Sequence, residues 1–469
     1  NCVDSSSVLN GGAIYIDGFN ATVKDSNFTD SYVTGNQGTP SGGAIYIYEA
    51  NATIEGSIFK HSGVSISKGQ GGTIFIHGDN ATISGSEFDS SSANTGGTLY
   101  IEGDYTYVID SSVNASYAYS KGGALYSTGS NSKVVNSNFT HNLAEESGGA
   151  LYWYGGSHSK NNTVDGCIFT NNTAHGNVSD DDAATRGGGA IYWSEHGEYG
   201  NVTNSKFYYN SVQSTIKWKV DGGAILWDKS YHALVENCIF VGNFVTTEGD
   251  SGSSAKASWA QGGAMYLRPY DNYTVRNCLF ENCSSSKEAG ALYIQSNNPT
   301  DGHPVTNRKI LLENCVFINN VAQAKGNSAN GLINGGGAIQ IKQCGNALFN
   351  NLTFINNTAN KGGALCVFDQ VSGLVVDGAN FAGNKANKGS AISASVYFKL
   401  NNAVLIENRA DTTKFDLTFN RENGGSIDIL LEGADTHLNA MYIKHGNKGF
   451  TISCDNVTYW TNDNILTGK

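Results

Sequence analysis

A few groups of side chains carry types and spacings that could do chemistry. Cys238, Cys278 and Cys315 each follow an Asn and precede a Phe by two residues, so they share one position of a repeated phrase. Small thiols filling a Ser-sized column are the simplest reading. A disulfide between neighbours stays open, whereas a thiolate metal site lacks converging His or acid partners. Cys283, Cys344 and Cys366 stand at other offsets. Asp180-Asp181-Asp182 is the densest acidic run, but three consecutive Asp point in different directions, so a solvated loop is expected before a Ca²⁺ site. Glu55, Asp165, Glu236 and Glu313 are isolated acids, and Glu236, Arg276 and Glu313 alternate in charge as a self-neutralising ladder would. The cluster Glu195-His196-Gly197-Glu198 sits in a short loop. No pair of carboxylates is placed for general acid and base work. The chain reads as non-catalytic, with no metal and no cofactor.

Aromatic residues offer binding chemistry instead. Trp218 and Trp259 fall in long insertions, where a large ring makes a contact anchor. Trp153, Trp193 and Trp227 occupy one column, as core filler or as a platform for sugar rings. Tyr15, Tyr46, Tyr100, Tyr126, Tyr152, Tyr192, Tyr266 and Tyr293 form another column, with Phe75 among them. By alternation this column faces outward, which predicts an exposed aromatic ladder on one flat face and a candidate contact surface.

The elements that must position these residues follow from a repeat. Gly-Gly phrases begin at Gly11, Gly42, Gly71, Gly96, Gly122, Gly148, Gly188, Gly222 and Gly262, weaken to Ala-Gly at Ala289, return at Gly336 and Gly362, weaken to Gly-Ser at Gly389 and reappear at Gly424. They are followed by a second phrase ending in Phe (Phe28, Phe59, Phe88, Phe139, Phe169, Phe207, Phe240, Phe280, Phe317, Phe354, Phe381), with Val113 in its place in one copy. Five residues before the Phe lies an apolar side chain. Three before it is Asn, Asp or Gly, the residues that tolerate a left-handed backbone. Two before it is a small or soft one. Short period-two runs joined by tight corners, in coils of about 26 residues, predict a parallel β-helix with three short strands per coil. About 13–14 coils at ~4.8 Å each would give a rod roughly 65 Å long. Residues 1–395 form the repeats. Residues 396–469 read as degenerate last coils, a cap and a junction to a following segment.

Composition bounds the rest. The 469 residues include 58 Gly, 4 Pro and 15% charged residues, too Gly-rich for helices and, at 11% aromatic, too aromatic for disorder. A net charge of -12 leaves no basic stripe for nucleic acid. No run of 18 apolar residues occurs, so no membrane insertion is expected within this segment. Starting at Asn1, it reads as an excised or mature piece with further domains of the same chain expected.

The pairing of Gly-Gly-Ala-Ile/Leu with Phe-x-x-Asn (Phe139 to Asn142, Phe169 to Asn172, Phe207 to Asn210, Phe317 to Asn320, Phe354 to Asn357) resembles the repeat of the chlamydial polymorphic outer-membrane proteins. It is still more similar to the β-helical regions of adhesin-like cell-surface proteins of methanogenic archaea. The closing Cys454-Asp455-Asn456-Val457-Thr458-Tyr459-Trp460 resembles the junction where such chains pass into immunoglobulin-like repeats. The resemblance implies a right-handed β-helix at the extracellular cell surface, contacting a surface protein or glycan of another cell. Sequons at Asn20, Asn51, Asn80, Asn138, Asn201, Asn272 and Asn351 fit a secreted glycoprotein. The rival readings are a polysaccharide-cleaving β-helix enzyme, although neither a Gly-His-Gly phrase nor the paired Asp of polygalacturonases appears, and a passive spacer.

Overall fold

In the computed structural model the described residues are 3–4, 10–34, 38–65, 67–156, 159–177, 186–194, 197–215, 219–247, 259–296, 309–323, 335–368, 371–396, 398–406 and 408–410, followed by the strand segments 417–421, 427–432, 437–438, 441–445, 450–454 and 458–459. They divide into two compact units, residues 1–216 with 223–234, and residues 217–222 with 235–469. Every strand pair in each unit is parallel, and the described residues contain no helix.

One coil of the first unit illustrates the plan. Its four strands are Leu125–Ser127, Lys133–Val135, Asn138–Thr140 and Leu143–Ala144, after which Leu151–Trp153 begins the next coil. The coil therefore has four strands rather than the expected three. Each pairs without slippage with its counterpart one coil on, as in Leu125 with Leu151 and Tyr126 with Tyr152. Corners explain why the strands are so short. Asn131 (φ 56°), Asn136 (φ 48°), His141 (φ 54°) and Gly148 (φ 67°) each turn the chain with a single left-handed residue. That conformation is tolerated by Asn and Gly and costs most other residues roughly 1–2 kcal/mol.

The Gly pair has a second constraint. A Cβ on Gly149 would collide with the carbonyl oxygen of Gly189 one coil on, so only hydrogen lets the coils approach this closely.

Inside each coil four columns are apolar. Leu151, Val164, Phe169 and Ala174 are fully buried, and Phe139, Phe169 and Phe207 stack at 5.0 and 4.9 Å. Two more columns are polar and equally buried. Ser137 Oγ donates to Val135 O at 2.8 Å and accepts the Ser111 amide at 3.1 Å. Asn172 Nδ2 donates to Phe139 O and to Asn210 Oδ1, both at 2.9 Å. These bonds supply partners to the corner amides and carbonyls that a bend removes from the strand ladder.

The second unit repeats the plan. Its first-sheet strands are Met265–Pro269, Leu292–Gln295, Ile339–Lys342, Leu365–Phe368 and Ile392–Ala394, and Leu417–Arg421 and Met441–His445 continue the same sheet. An extra pair of strands, Lys219–Asp221 and Trp259–Gln261, stands immediately before the Gly222 and Gly262 corners.

Candidate binding groove around Trp259

The extra strand pair creates the groove. Parallel pairing sets Lys219 beside Trp259 and Asp221 beside Gln261. Across from them run the ends of the first-sheet strands, where Gln295 pairs with Lys342. Lys219, Trp259, Gln261, Gln295 and Lys342 together line a groove of about 210 Å³. Beside it lies the aromatic column of this unit, Tyr266 stacked on Tyr293 at 5.2 Å.

A hydrogen-bonded network fixes the walls. Lys219 Nζ donates to the Tyr266 hydroxyl at 2.9 Å and lies 3.3 Å from Asp221 Oδ2. The Tyr266 hydroxyl donates to Gln295 Oε1 at 3.1 Å, and Gln295 Nε2 donates to Gln343 Oε1 at 2.8 Å. Gln261 Nε2 donates to Glu288 Oε2 at 2.5 Å. Burial works against the Lys219 ammonium, but Asp221 and Tyr266 outweigh it, so its pKa stands above the ordinary lysine value. Burial likewise pushes the Tyr266 and Tyr293 hydroxyls up. Lys219 therefore stays charged, and the Tyr266 and Tyr293 hydroxyls stay protonated, at neutral pH.

The sequence-expected residues divide sharply. Trp259 is on a strand rather than in an open loop, and it is half-buried; no other ring stacks on it among the described residues. Trp218, Asp180, Asp181, Asp182, Glu195 and His196 lie outside the described residues. Trp153, Trp193 and Trp227 resolve as core: each is 1% exposed, stacked at 4.7 and 4.5 Å. Gly200 makes room for them, since a Cβ there would meet Trp227 at 2.6 Å.

The Tyr column is not the exposed face that alternation predicted. Tyr100, Tyr152, Tyr192, Tyr266 and Tyr293 are at most 7% exposed, Tyr46 and Tyr126 are partly covered, and Tyr15 alone of the eight is open, at 49%. Strand alternation sets the rings on the face opposite residues such as Leu151 and Trp153. In the first unit, however, they stack in parallel at 4.7 to 5.1 Å, so each covers its neighbours' faces. The Gly corner packs against their edges, with Gly148 set against Tyr152 Cβ. Flanking residues cover more, as Lys121 Nζ does at 5.3 Å from the Tyr152 ring.

The thiols occupy Ser positions. Cys167, Cys238, Cys278 and Cys315 are buried and form no disulfide among the described residues, and Cys278 Sγ donates to Arg276 O at 3.1 Å as the Ser hydroxyls do. Cys283 replaces an Asn of the buried ladder, its backbone N–H donating to Asn320 Oδ1 at 3.0 Å. Cys344 and Cys366 are also buried and form no disulfide among the described residues. Arg276 Nε lies 2.8 Å from Glu236 Oε1, Lys24 Nζ lies 3.1 Å from Glu55, and Asp165 accepts from Thr203 and Asn204 at 2.6 and 2.7 Å.

The sequons follow from the corners. Asn20, Asn51, Asn80 and Asn351 are left-handed and exposed, each followed by a small or apolar residue and then a Thr that opens the next strand. Asn138 and Asn272 are exposed and Asn201 is partly so. What sequence reading passed over is the left-handed column two residues after each Phe, where His61, His141 and Tyr209 stand exposed. Their varied types hid a conformational constant.

Parallel coils with four left-handed corners, an inward Asn ladder and stacked Phe define a right-handed parallel β-helix. In agreement, residues 12–240 match the family model described as a right handed beta helix region. Residues 351–367 match that of the Chlamydia polymorphic membrane protein repeat. Two solved structures of a PL6 family alginate lyase, AlyGC, one a mutant and one not, align at 9% and 7% identity, over 96% and 94% of this chain and 97% and 96% of theirs. Their TM-score of 0.16 carries no structural equivalence. No curated protein matches the chain.

Proposed function

We propose that the chain is the adhesive region of a cell-surface protein, recognising a protein or glycan of another cell without covalent chemistry. The observation that carries this reading is the polymorphic membrane protein repeat at residues 351–367, a repeat borne by membrane-associated surface proteins, set in coils whose corners display Asn, His and Tyr side chains. The groove around Trp259 adds a concave place for contact. Acids such as Glu236, Glu55 and Asp165 are each spent on a neighbour along the ladder, which suits a stable recognition surface. Such ladder pairs are worth little individually and mainly keep like charges apart.

The test coats beads with the intact chain and measures their attachment to a panel of cells and immobilised glycans. Saturable attachment that soluble chain competes away is the expected result. Attachment to no member of the panel, with the fold intact by circular dichroism, contradicts the reading and leaves a spacer.

A further inference from the structure

We infer that the groove lined by Lys219, Trp259, Gln261, Gln295 and Lys342 binds a carboxylated sugar residue. This rests on reading the chain as a recognition module and adds the chemical class of what it recognises.

Three features of the groove converge on that class. Trp259 presents a half-buried indole on a strand, held in place by pairing with Lys219 and with no ring stacked on it among the described residues, unlike the stacked and buried Trp153, Trp193 and Trp227. A rigid flat ring of this kind suits the apolar C–H face of a pyranose, one end of which stays polar and wet.

The second feature is a lining of side-chain amides. Gln261 is 1% exposed; its Nε2 is committed to Glu288, while its Oε1 has no hydrogen-bond partner. The amide of Gln295, half-exposed on the facing wall, continues the polar lining.

The third is charge. Lys219 is spent on Asp221 and Tyr266, and Glu288 is engaged by Gln261. Lys342 is different: its Nζ lies 5.4 Å from the Phe368 ring centroid, and among the described residues no carboxylate is within ion-pair distance of it. In a chain of net charge -12, an ammonium left without a counter-ion at the rim of an aromatic, amide-lined groove selects an anion. The groove, at about 210 Å³, is smaller than the ~300–1,000 Å³ of sites for drug-sized ligands, and fits about one sugar ring.

The intact chain is titrated calorimetrically with a short oligogalacturonate and with sialyllactose, and with their neutral counterparts, the carboxyl-reduced oligosaccharide and lactose. At least one acidic ligand should bind about tenfold more tightly than its neutral partner. Lys342→Gln should remove that preference, Trp259→Ala should weaken acidic and neutral binding together, and the distant Lys24→Gln should change neither. Thermal melts establish that each variant is folded. The inference is overturned if neither acid binds, if acid and neutral forms bind equally, or if Lys342→Gln and Trp259→Ala bind as the unsubstituted chain does. Bead attachment that persists while the groove binds no acidic sugar sinks this inference and leaves the adhesive reading standing; acidic-sugar binding without attachment to cells does the reverse.

Discussion

The side-chain amide of Asn172 donates to Oδ1 of Asn210 at 2.9 Å, and both residues are fully buried. The same contact recurs from Asn320 to Asn357 at 2.9 Å and from Asn357 to Asn384 at 3.0 Å. Each Asn also holds the Phe carbonyl of the preceding coil. The ladder thus ties corner to corner inside the protein, where water cannot substitute.

Removing one rung should be expensive. Asn172→Ala leaves the Asn142 backbone and side-chain donors and the Phe139 carbonyl without their partner, so a loss of about 3 kcal/mol is expected in denaturant unfolding. Asn172→Cys should cost clearly less, because Cys283 already holds this position with its Sγ 3.4 Å from Glu281 O and 3.6 Å from Phe240 O. Equal losses for Ala and Cys would show that the polar contacts carry no stability.

The Gly pair gives a sharper contrast. Gly149→Ala drives a methyl into the Gly189 carbonyl, and about 4 kcal/mol or a failure to fold is expected. Gly18→Ala, with nothing within 4 Å of the added carbon, should leave the melting temperature almost unchanged. If both variants melt alike, close coil approach is not what selects Gly there.

Much of this was legible in the sequence because a solenoid writes its columns directly into the spacing. Asn136 and Asn204 stand three before their Phe and are left-handed as that offset predicts. The fourth strand was not legible, since a two-residue element such as Leu143–Ala144 is too short to alternate. Alternation set Tyr152 on the strand face opposite Leu151 and Trp153. It could not reveal that stacked rings, the Gly148 corner and Lys121 would cover it, because coverage depends on neighbours in space. The same limit applied to the groove. Trp259 was singled out by type, but Gln261, Gln295 and Lys342 come from three separate coils and share no motif.

Alkaline pH should reveal the buried thiols. Burial pushes Cys167, Cys283 and Cys366 up to about 12 from an ordinary 9.0, and raises Cys278 as well. In the unfolded chain these groups lose their protons near pH 9, while in the folded protein they keep them. The unfolded state therefore binds fewer protons above that pH, and stability falls as pH rises. Stability from these residues is fully present below about pH 9 and is lost progressively toward pH 12. The melting temperature should be level from about pH 7 to 8.5 and then decline, and maleimide should label these thiols only after denaturation. Rapid native labelling of Cys167 would contradict its burial.

The two kinds of Trp should separate in one pair of variants. Trp193→Ala opens a cavity in a stacked core and should cost about 3–5 kcal/mol. Trp259→Ala removes a half-buried groove residue and should shift stability by less than about 1 kcal/mol. The reverse order would move the contact role from Trp259 to the inner stack.

Recognition without cleavage is the central claim, and one incubation tests it. The intact chain is mixed with an acidic polysaccharide, and both the amount retained on the protein and the chain length of the recovered polysaccharide are measured by size-exclusion chromatography. The account predicts retention that Trp259→Ala reduces, with the polysaccharide recovered at its original length. Shortened polysaccharide carrying new reducing or unsaturated ends would contradict it and make the protein an enzyme.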